Sequence, residues 1–268
     1  MTNTDKKELS IQVSLSGLSF CILNQSTNTI EYLASHQFAQ KASPSGMLAA
    51  LIKELSAHST FASTNFSSVI VVHQNELSTL VPEELYVESK NADYLKFNNK
   101  MLKTDFISTD ALSAINSINV YVPYVNVNNY IFDTFGPFIY KHSSTILIDA
   151  FMHQKDENKN SVFVNISAQT LEIIVMNENK LELYNSFEYF SVEDLIYYVL
   201  FVFEQLQLDP DIDPIKLTGS ISENDERYTI LYKYIRHIEF LQPQIKYNLA
   251  DAIDHNTLHQ YFIITNSY

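Results

Sequence analysis

Apolar and polar positions alternate from Leu9 onward: Leu9, Ile11, Val13 and Leu15 share one side of an extended chain, and Phe20-Cys21-Ile22-Leu23 follows after Ser16-Gly17. A period of two interrupted by a serine–glycine pair predicts a β-hairpin. Residues 29–38 extend it by a third antiparallel strand. Pro44-Ser45-Gly46 then breaks the alternation, and Met47, Leu48, Leu51, Ile52 and Leu55 recur at helical spacing. Residues 67–73 contain Val69-Ile70-Val71-Val72 and read as a short strand buried on both faces. Beyond them the pattern predicts a strand over 117–123, a helix over 127–135 ended near Gly136-Pro137, and a strand over 144–151.

The polar run Gln154-Lys155-Asp156-Glu157-Asn158-Lys159-Asn160 marks the best lobe boundary, so the chain is expected to divide into domains 1–155 and 156–268. After it the opening series returns. Val162-Phe163-Val164-Asn165-Ile166, a polar turn, Leu171-Glu172-Ile173-Ile174-Val175-Met176, a turn at Asn177-Glu178-Asn179 and a strand over 180–187 repeat the architecture without repeating the residues. Ser191-Val192-Glu193-Asp194 has the form of an N-cap with an acidic first turn and launches an apolar helix to about Leu206. Asp209-Pro210 ends it. Residues 215–220 form a short strand running into Gly219, and a second helix is expected over 224–238, with Tyr228, Leu231, Ile235 and Ile238 on one face.

A strand hairpin, a third strand, a helix and another strand, given twice, resemble the duplicated halves of the actin, sugar kinase and Hsp70 superfamily. The segments that carry the likeness are 10–23 and, more strongly, 161–219. The second half is most similar to the degenerate pilus-assembly and secretion members, and the chain also resembles a family of Bacteroidetes proteins placed beside that superfamily. The resemblance implies an α/β chain with a two-lobed actin-like (ribonuclease H-like) duplicated fold and mixed sheets. It also implies ATP chemistry at two hairpin turns, where glycines let backbone N–H groups approach phosphates and an aspartate positions metal and water.

Here both turns depart from that pattern. The first reads Val13-Ser14-Leu15-Ser16-Gly17, with Ser14 at the aspartate position and one glycine; the second reads Asn165-Ile166-Ser167-Ala168-Gln169-Thr170, with Asn165 for aspartate and no glycine. A neutral amide neither takes a proton from water nor lends a metal a full charge. Any residual nucleotide contact is therefore assigned to Ser14, Ser16, Gly17, Asn165, Ser167, Thr170 and Gly219, and no cofactor is expected.

Composition narrows the function classes further. Thirty-one Asp and Glu against 17 Lys and Arg give a formal net charge of −14, which repels a phosphate backbone and an anionic leaflet. Lys90, Lys96, Lys100 and Lys103 are interleaved with Asp93 and Asp105 and read as a solvated face, so nucleic acid is not expected as a partner. The single cysteine, Cys21, forbids an internal disulfide and suits a reducing, cytoplasmic setting. The polar start at residues 1–8 has no apolar h-region behind it, and the longest apolar run, 195–203, is too short to cross a bilayer, so neither secretion nor membrane insertion is expected.

His255 and His259 stand four apart near Asp251 and Asp254, the spacing of a helical metal pair, but the run reads better as a solvated helix end. No Gly-x-Ser-x-Gly elbow occurs. The aromatics Tyr197, Tyr198, Phe201 and Phe203 read as a helix buried between a sheet and its neighbour, and those of Tyr121-Val122-Pro123-Tyr124-Val125 and Tyr130-Ile131-Phe132 as core. Two functions compete. One is a non-catalytic protein-binding or scaffold protein; the other is an ATP-binding protein or phosphotransferase in which Asp149, Glu172 or Asp194 replaces the missing carboxylates.

Overall fold

The computed structural model describes residues 6–97, 100, 102, 104–154, 160–244 and 246–268. Residues 1–5, where a leader was sought, 155–159 at the heart of the expected boundary, and Lys103 lie outside the described residues. The chain groups into two compact units. One comprises Met1–Leu147, Ile245–Ile253 and Ile263–Tyr268, the other Ile148–Gln244 and Asp254–Phe262.

In the first unit β1 (Lys7–Ser14), β2 (Gly17–Asn24) and β3 (Thr29–Gln37) form the expected antiparallel meander, with Ser14 opposite Gly17. α1 (Pro44–Ala57) starts on a Ser43 cap whose side chain accepts from Gly46 N, and α2 (Ser59–Ser63) follows. The chain then enters β4 (Ser68–His73), parallel to β1 and buried at five of six positions, as a strand covered on both faces must be. β5 (Ser78–Pro82), α3 (Asn91–Lys96), β6 (Ser108–Leu112) and β7 (Ser117–Tyr121) come next, the three strands forming a separate antiparallel sheet. α4 (Val125–Phe135) leads to β8 (Ile139–His142), parallel to β4, and then to α5 (Ser143–Met152). Lys96 pairs with Asp93 at 3.6 Å on an exposed face, and Lys100 is exposed.

The second unit repeats the plan. β9 (Asn160–Ile166), β10 (Thr170–Asn177) and β11 (Lys180–Glu188) are antiparallel. α6 (Val192–Gln205) opens with a capping box, in which Ser191 Oγ accepts from Asp194 N and the Asp194 carboxylate accepts from Ser191 N. β12 (Ile215–Gly219) pairs parallel with β9, and after α7 (Glu226–Tyr234) comes β13 (Ile238–Phe240), parallel to β12. The order β11-β10-β9-β12-β13 therefore matches β3-β2-β1-β4-β8 strand for strand, two antiparallel pairings followed by two parallel ones. This is the two-lobed, duplicated fold with mixed sheets that the chain pattern predicts. β14 (Asn248–Leu249) adds beside β3; the 3₁₀ stretch His255–Tyr261 and α8 (Phe262–Thr265) complete the described elements.

Each sheet holds its helix through alternation. Leu9, Ile11 and Val13 pack with Met47, Leu51 and Leu55 of α1, and Val162, Val164 and Ile166 with Leu195, Val199 and Val202 of α6.

Three expectations are corrected. Residues 144–151 are helical, within α5, because Ser143 to Ile148 are buried all round and an apolar run without a period reads alike as buried strand or buried helix. The second late helix stops at Tyr234: Ile235 is extended at φ −115, and Ile238 begins β13 opposite Ile215, so the helical spacing carried on past a turn that still faces the core. The aromatics are split by their faces. Tyr121 and Ile131 are core but Val125 and Phe132 are exposed, and on α6 Phe203 is buried while Tyr197 and Phe201 face solvent. A period of 3.6 sets 197 and 201 opposite 195, 199 and 202.

Candidate functional site

The first turn is closed by its own residues. Ser14 Oγ donates to the Gly17 carbonyl at 3.0 Å and accepts from Ser16 N at 3.3 Å, with the Ser16 hydroxyl 3.1 Å away. The carbonyls of Leu15 and Ser16 accept from Ala42 N and Phe38 N. Gly17 is demanded by the neighbouring strand, since a Cβ there would lie 2.7 Å from the His36 carbonyl oxygen. Ser14, Ser16 and Gly17 thus share one turn of the first unit.

Asn165, Ser167, Thr170 and Gly219 gather in the second unit. Asn165 is buried on the sheet face opposite α6 and is fixed at both ends of its amide: Nδ2 donates to Glu172 Oε2 at 2.8 Å and Oδ1 accepts from Thr218 Oγ1 at 3.1 Å. Tyr184 OH donates to Glu172 Oε1 at 3.0 Å. Register explains the row. Thr218 and Glu172 lie directly beside Asn165 on β12 and β10, and Tyr184 is the diagonal neighbour on β11.

The turn beyond is tied down as firmly. Ser167 N and Oγ both donate to the Thr170 carbonyl, and the Ser167 carbonyl accepts from Tyr189 OH at 2.5 Å and Arg227 Nη1 at 3.1 Å. Arg227 also donates to the Ser220 carbonyl at 2.6 Å and to the Asp225 carboxylate, whose pKa it holds below the usual carboxylate range. Gly219 has φ +87, and a Cβ on it would fall 2.2 Å from the Ile166 carbonyl oxygen. The turn's carbonyls and the strand that leaves it are therefore spent inside the fold.

The three carboxylates considered as substitutes do not gather at this turn. Asp194 is the α6 cap, Glu172 is enclosed in the sheet, and Asp149 stands exposed on α5. Of the histidine pair, His255 is exposed but His259 is buried against Phe240, with Nε2 donating to the Ile221 carbonyl at 2.8 Å. A polar, solvated helix end is therefore the wrong description of His259, because the 3₁₀ stretch turns that side chain onto β12. No group of His, Cys, Asp and Glu suited to a metal occurs among the described residues. Burial pushes the Cys21 thiol up to about 12, which keeps it protonated.

A second polar cluster, in the first unit, went unread in the sequence. His142 Nε2 donates to the Asn75 carbonyl at 3.1 Å, so its Nδ1 accepts from Ser144 Oγ at 2.7 Å. Asn119 Nδ2 donates to both Ser144 Oγ and Thr145 Oγ1, while Thr145 Oγ1, Tyr121 OH and His142 N all donate to the Asp110 carboxylate. His142 and Ser144 are fully buried, so this serine–histidine contact anchors the start of α5 and meets no substrate. His73 lies buried nearby in the sequence of β4, with Nε2 against Asn128 Oδ1 at 2.9 Å and Nδ1 accepting from Tyr124 N.

Burial lowers the pKa of His73 to about 4 and that of His142 to about 3, from an ordinary 6.5. Below pH 6.5 the unfolded chain takes up protons that the folded one refuses, so stability falls with pH, by up to about 1.4 kcal/mol per pH unit for each histidine until pH nears 4. Asp110, raised by burial, keeps its proton longer in the fold and opposes this trend just above the usual carboxylate range. Urea midpoints should drop between pH 7 and pH 5, and His73→Gln with His142→Gln should flatten the profile. A wild-type midpoint that is level across that interval would contradict the neutral, buried assignment.

Comparison with known proteins bears on the fold. The model of a family described as a protein of unknown function (DUF3822) matches residues 1–238. No curated protein matches. Among solved structures, the chain is similar to a protein of actin-like ATPase fold and unknown function from Bacteroides thetaiotaomicron VPI-5482, with 24% identity over 90% of this chain and 92% of that one and a TM-score of 0.74. It is also similar to a chain of the PilM–PilN type IV pilus biogenesis complex, with 12% identity over 97% of each chain and a TM-score of 0.63. The fold is the actin-like ATPase fold, as the resemblance to pilus-assembly members implied. No helix among the described residues is long and apolar enough to cross a membrane.

Proposed function

Because this chain belongs to the DUF3822 family of proteins of unknown function, we propose its role from its geometry: a non-catalytic, cytoplasmic protein-binding or scaffold protein that keeps the actin-like ATPase fold and uses its former nucleotide turns to hold that fold together. The observation that carries this reading is Asn165. At the position where an aspartate would place metal and water stands a neutral amide with both ends bonded inside the sheet. Phosphate transfer depends on charge placed beside the phosphoryl group and on backbone donors turned toward it. Ser14, Ser16, Gly17, Ser167, Thr170 and Gly219 are accordingly assigned to turn closure and strand packing. The PilM–PilN complex is an assembly of proteins on a chain of this fold, which supports a partner-binding use.

Isothermal titration of the full chain with magnesium–ATP tests the reading. The expected result is no binding tighter than about 1 mM, less than about 4 kcal/mol of binding free energy. Micromolar binding sinks it and favours an ATP-dependent enzyme with atypical turns.

A further inference from the structure

We propose that the outer face of α6 is the docking surface for a basic amphipathic segment of a partner protein, an apolar stretch flanked by lysine or arginine. This rests on the protein-binding reading above and gives it a place and a partner chemistry.

The exposed face of α6 runs Glu193, Tyr197, Phe201, Glu204. Tyr197 is 61% exposed and Phe201 41%, and their rings stack at 6.1 Å with 24° between planes. Tyr197 meets Tyr198 edge-on at 5.4 Å, and Tyr198 stacks on Phe187 of β11 at 4.5 Å. Four rings therefore run from the sheet onto the open helix surface. Phe190, one residue before the helix cap, is 74% exposed. Exposed aromatics supported from below are rigid anchors of the kind that dominate protein interfaces, because little side-chain entropy is lost when they are covered.

The charge around them selects the occupant. Between residues 181 and 215 the sequence holds eight Asp and Glu and no Lys, Arg or His. Glu193 and Glu204 bracket the aromatic pair at the two ends of the face. Such a surface attracts a segment with cations at its ends and apolar residues at its centre, laid along the helix. A second copy of this chain would set the same acidic segment against itself, and nucleic acids or anionic membranes would be repelled.

The test uses the full chain and three labelled synthetic peptides in fluorescence anisotropy. One has a leucine-rich apolar face and lysine flanks, one has the same composition scrambled, and one has glutamate for lysine. The lysine amphipath should bind at least tenfold more tightly than either control at 150 mM salt, and Tyr197→Ser with Phe201→Ser should abolish that advantage while leaving Tm unchanged, since both side chains are exposed. Equal binding of the scrambled peptide, or of the lysine amphipath to the double variant, would overturn the proposal, as would self-association of the wild type that the double variant removes. The outcome is separable from the magnesium–ATP titration: failure here with no ATP binding leaves a scaffold that docks elsewhere, whereas micromolar ATP binding removes the scaffold reading whatever the peptides do.

Discussion

Gly219→Ala is expected to destabilise the second unit by about 3–5 kcal/mol, near the upper end of what single substitutions do. Two costs add. Gly219 has φ +87, which an alanine adopts only under strain. The new Cβ would also fall 2.2 Å from the Ile166 carbonyl oxygen, 2.9 Å from Ile166 N and 2.8 Å from Asn165 Oδ1, so β12 must move off β9. Gly136→Ala separates the two, because Gly136 also has a positive φ, +80, but meets nothing within 4 Å. It should cost about 1–3 kcal/mol, the backbone contribution alone. Urea unfolding of both variants measures the difference, and equal losses would show that the β9–β12 contact yields freely.

Asn165→Asp is expected to cost about 3–5 kcal/mol at neutral pH, without creating ATPase activity. The substitution removes the amide donor that Glu172 Oε2 accepts at 2.8 Å and puts a second carboxylate in its place, where both residues are buried. Two carboxylates at that distance do not both ionise, so one keeps its proton and its folded pKa rises. With the folded pKa above the unfolded one, the folded state binds more protons across the interval between them, and stability declines as pH rises through it. The deficit should therefore be small near pH 4 and reach its full size above the raised pKa. Adding Glu172→Gln supplies an amide donor from the other side and should recover most of the loss. Magnesium-dependent ATP hydrolysis above the wild-type background would defeat the argument, because it would mean that phosphates are already held at this turn.

The parts of the fold legible in the sequence are those whose signals are local. The alternation over Leu9 to Val13 and Leu171 to Val175, and Ser191 three residues before Asp194, each lie within one element, and the recurrence of one series made the duplication readable. α5 failed the same test because Thr145-Ile146-Leu147-Ile148 has no period to separate helix from strand. β5 and β6 were missed because five-residue strands of mixed polarity, such as Ser78–Pro82 and Ser108–Leu112, carry little pattern. At the candidate site the loss of charge at Ser14 and Asn165 was plain, but the reason for Gly17 was hidden. It depends on His36, a strand away in space and 19 positions away in sequence. The Asp110–His142 cluster was illegible for that reason too, since its members come from β6, β7, β8 and α5 and none marks itself out alone.

The return of the chain to its first sheet has a consequence for synthesis on the ribosome. β14 adds beside β3, Ser267 Oγ meets Ser10 Oγ at 2.7 Å, and Tyr268 OH donates to the Cys21 carbonyl at 2.9 Å, so residues made last complete a sheet begun by residues made first. At roughly 5–20 residues per second, the strands from β1 to β8 must wait on the order of ten seconds for those partners. The stretch Ile148–Gln244 meanwhile emerges as one continuous piece. The nascent chain thus matures out of order, its later-made unit nearly whole while the earlier one still lacks its last contacts and leaves the edge of β3 open.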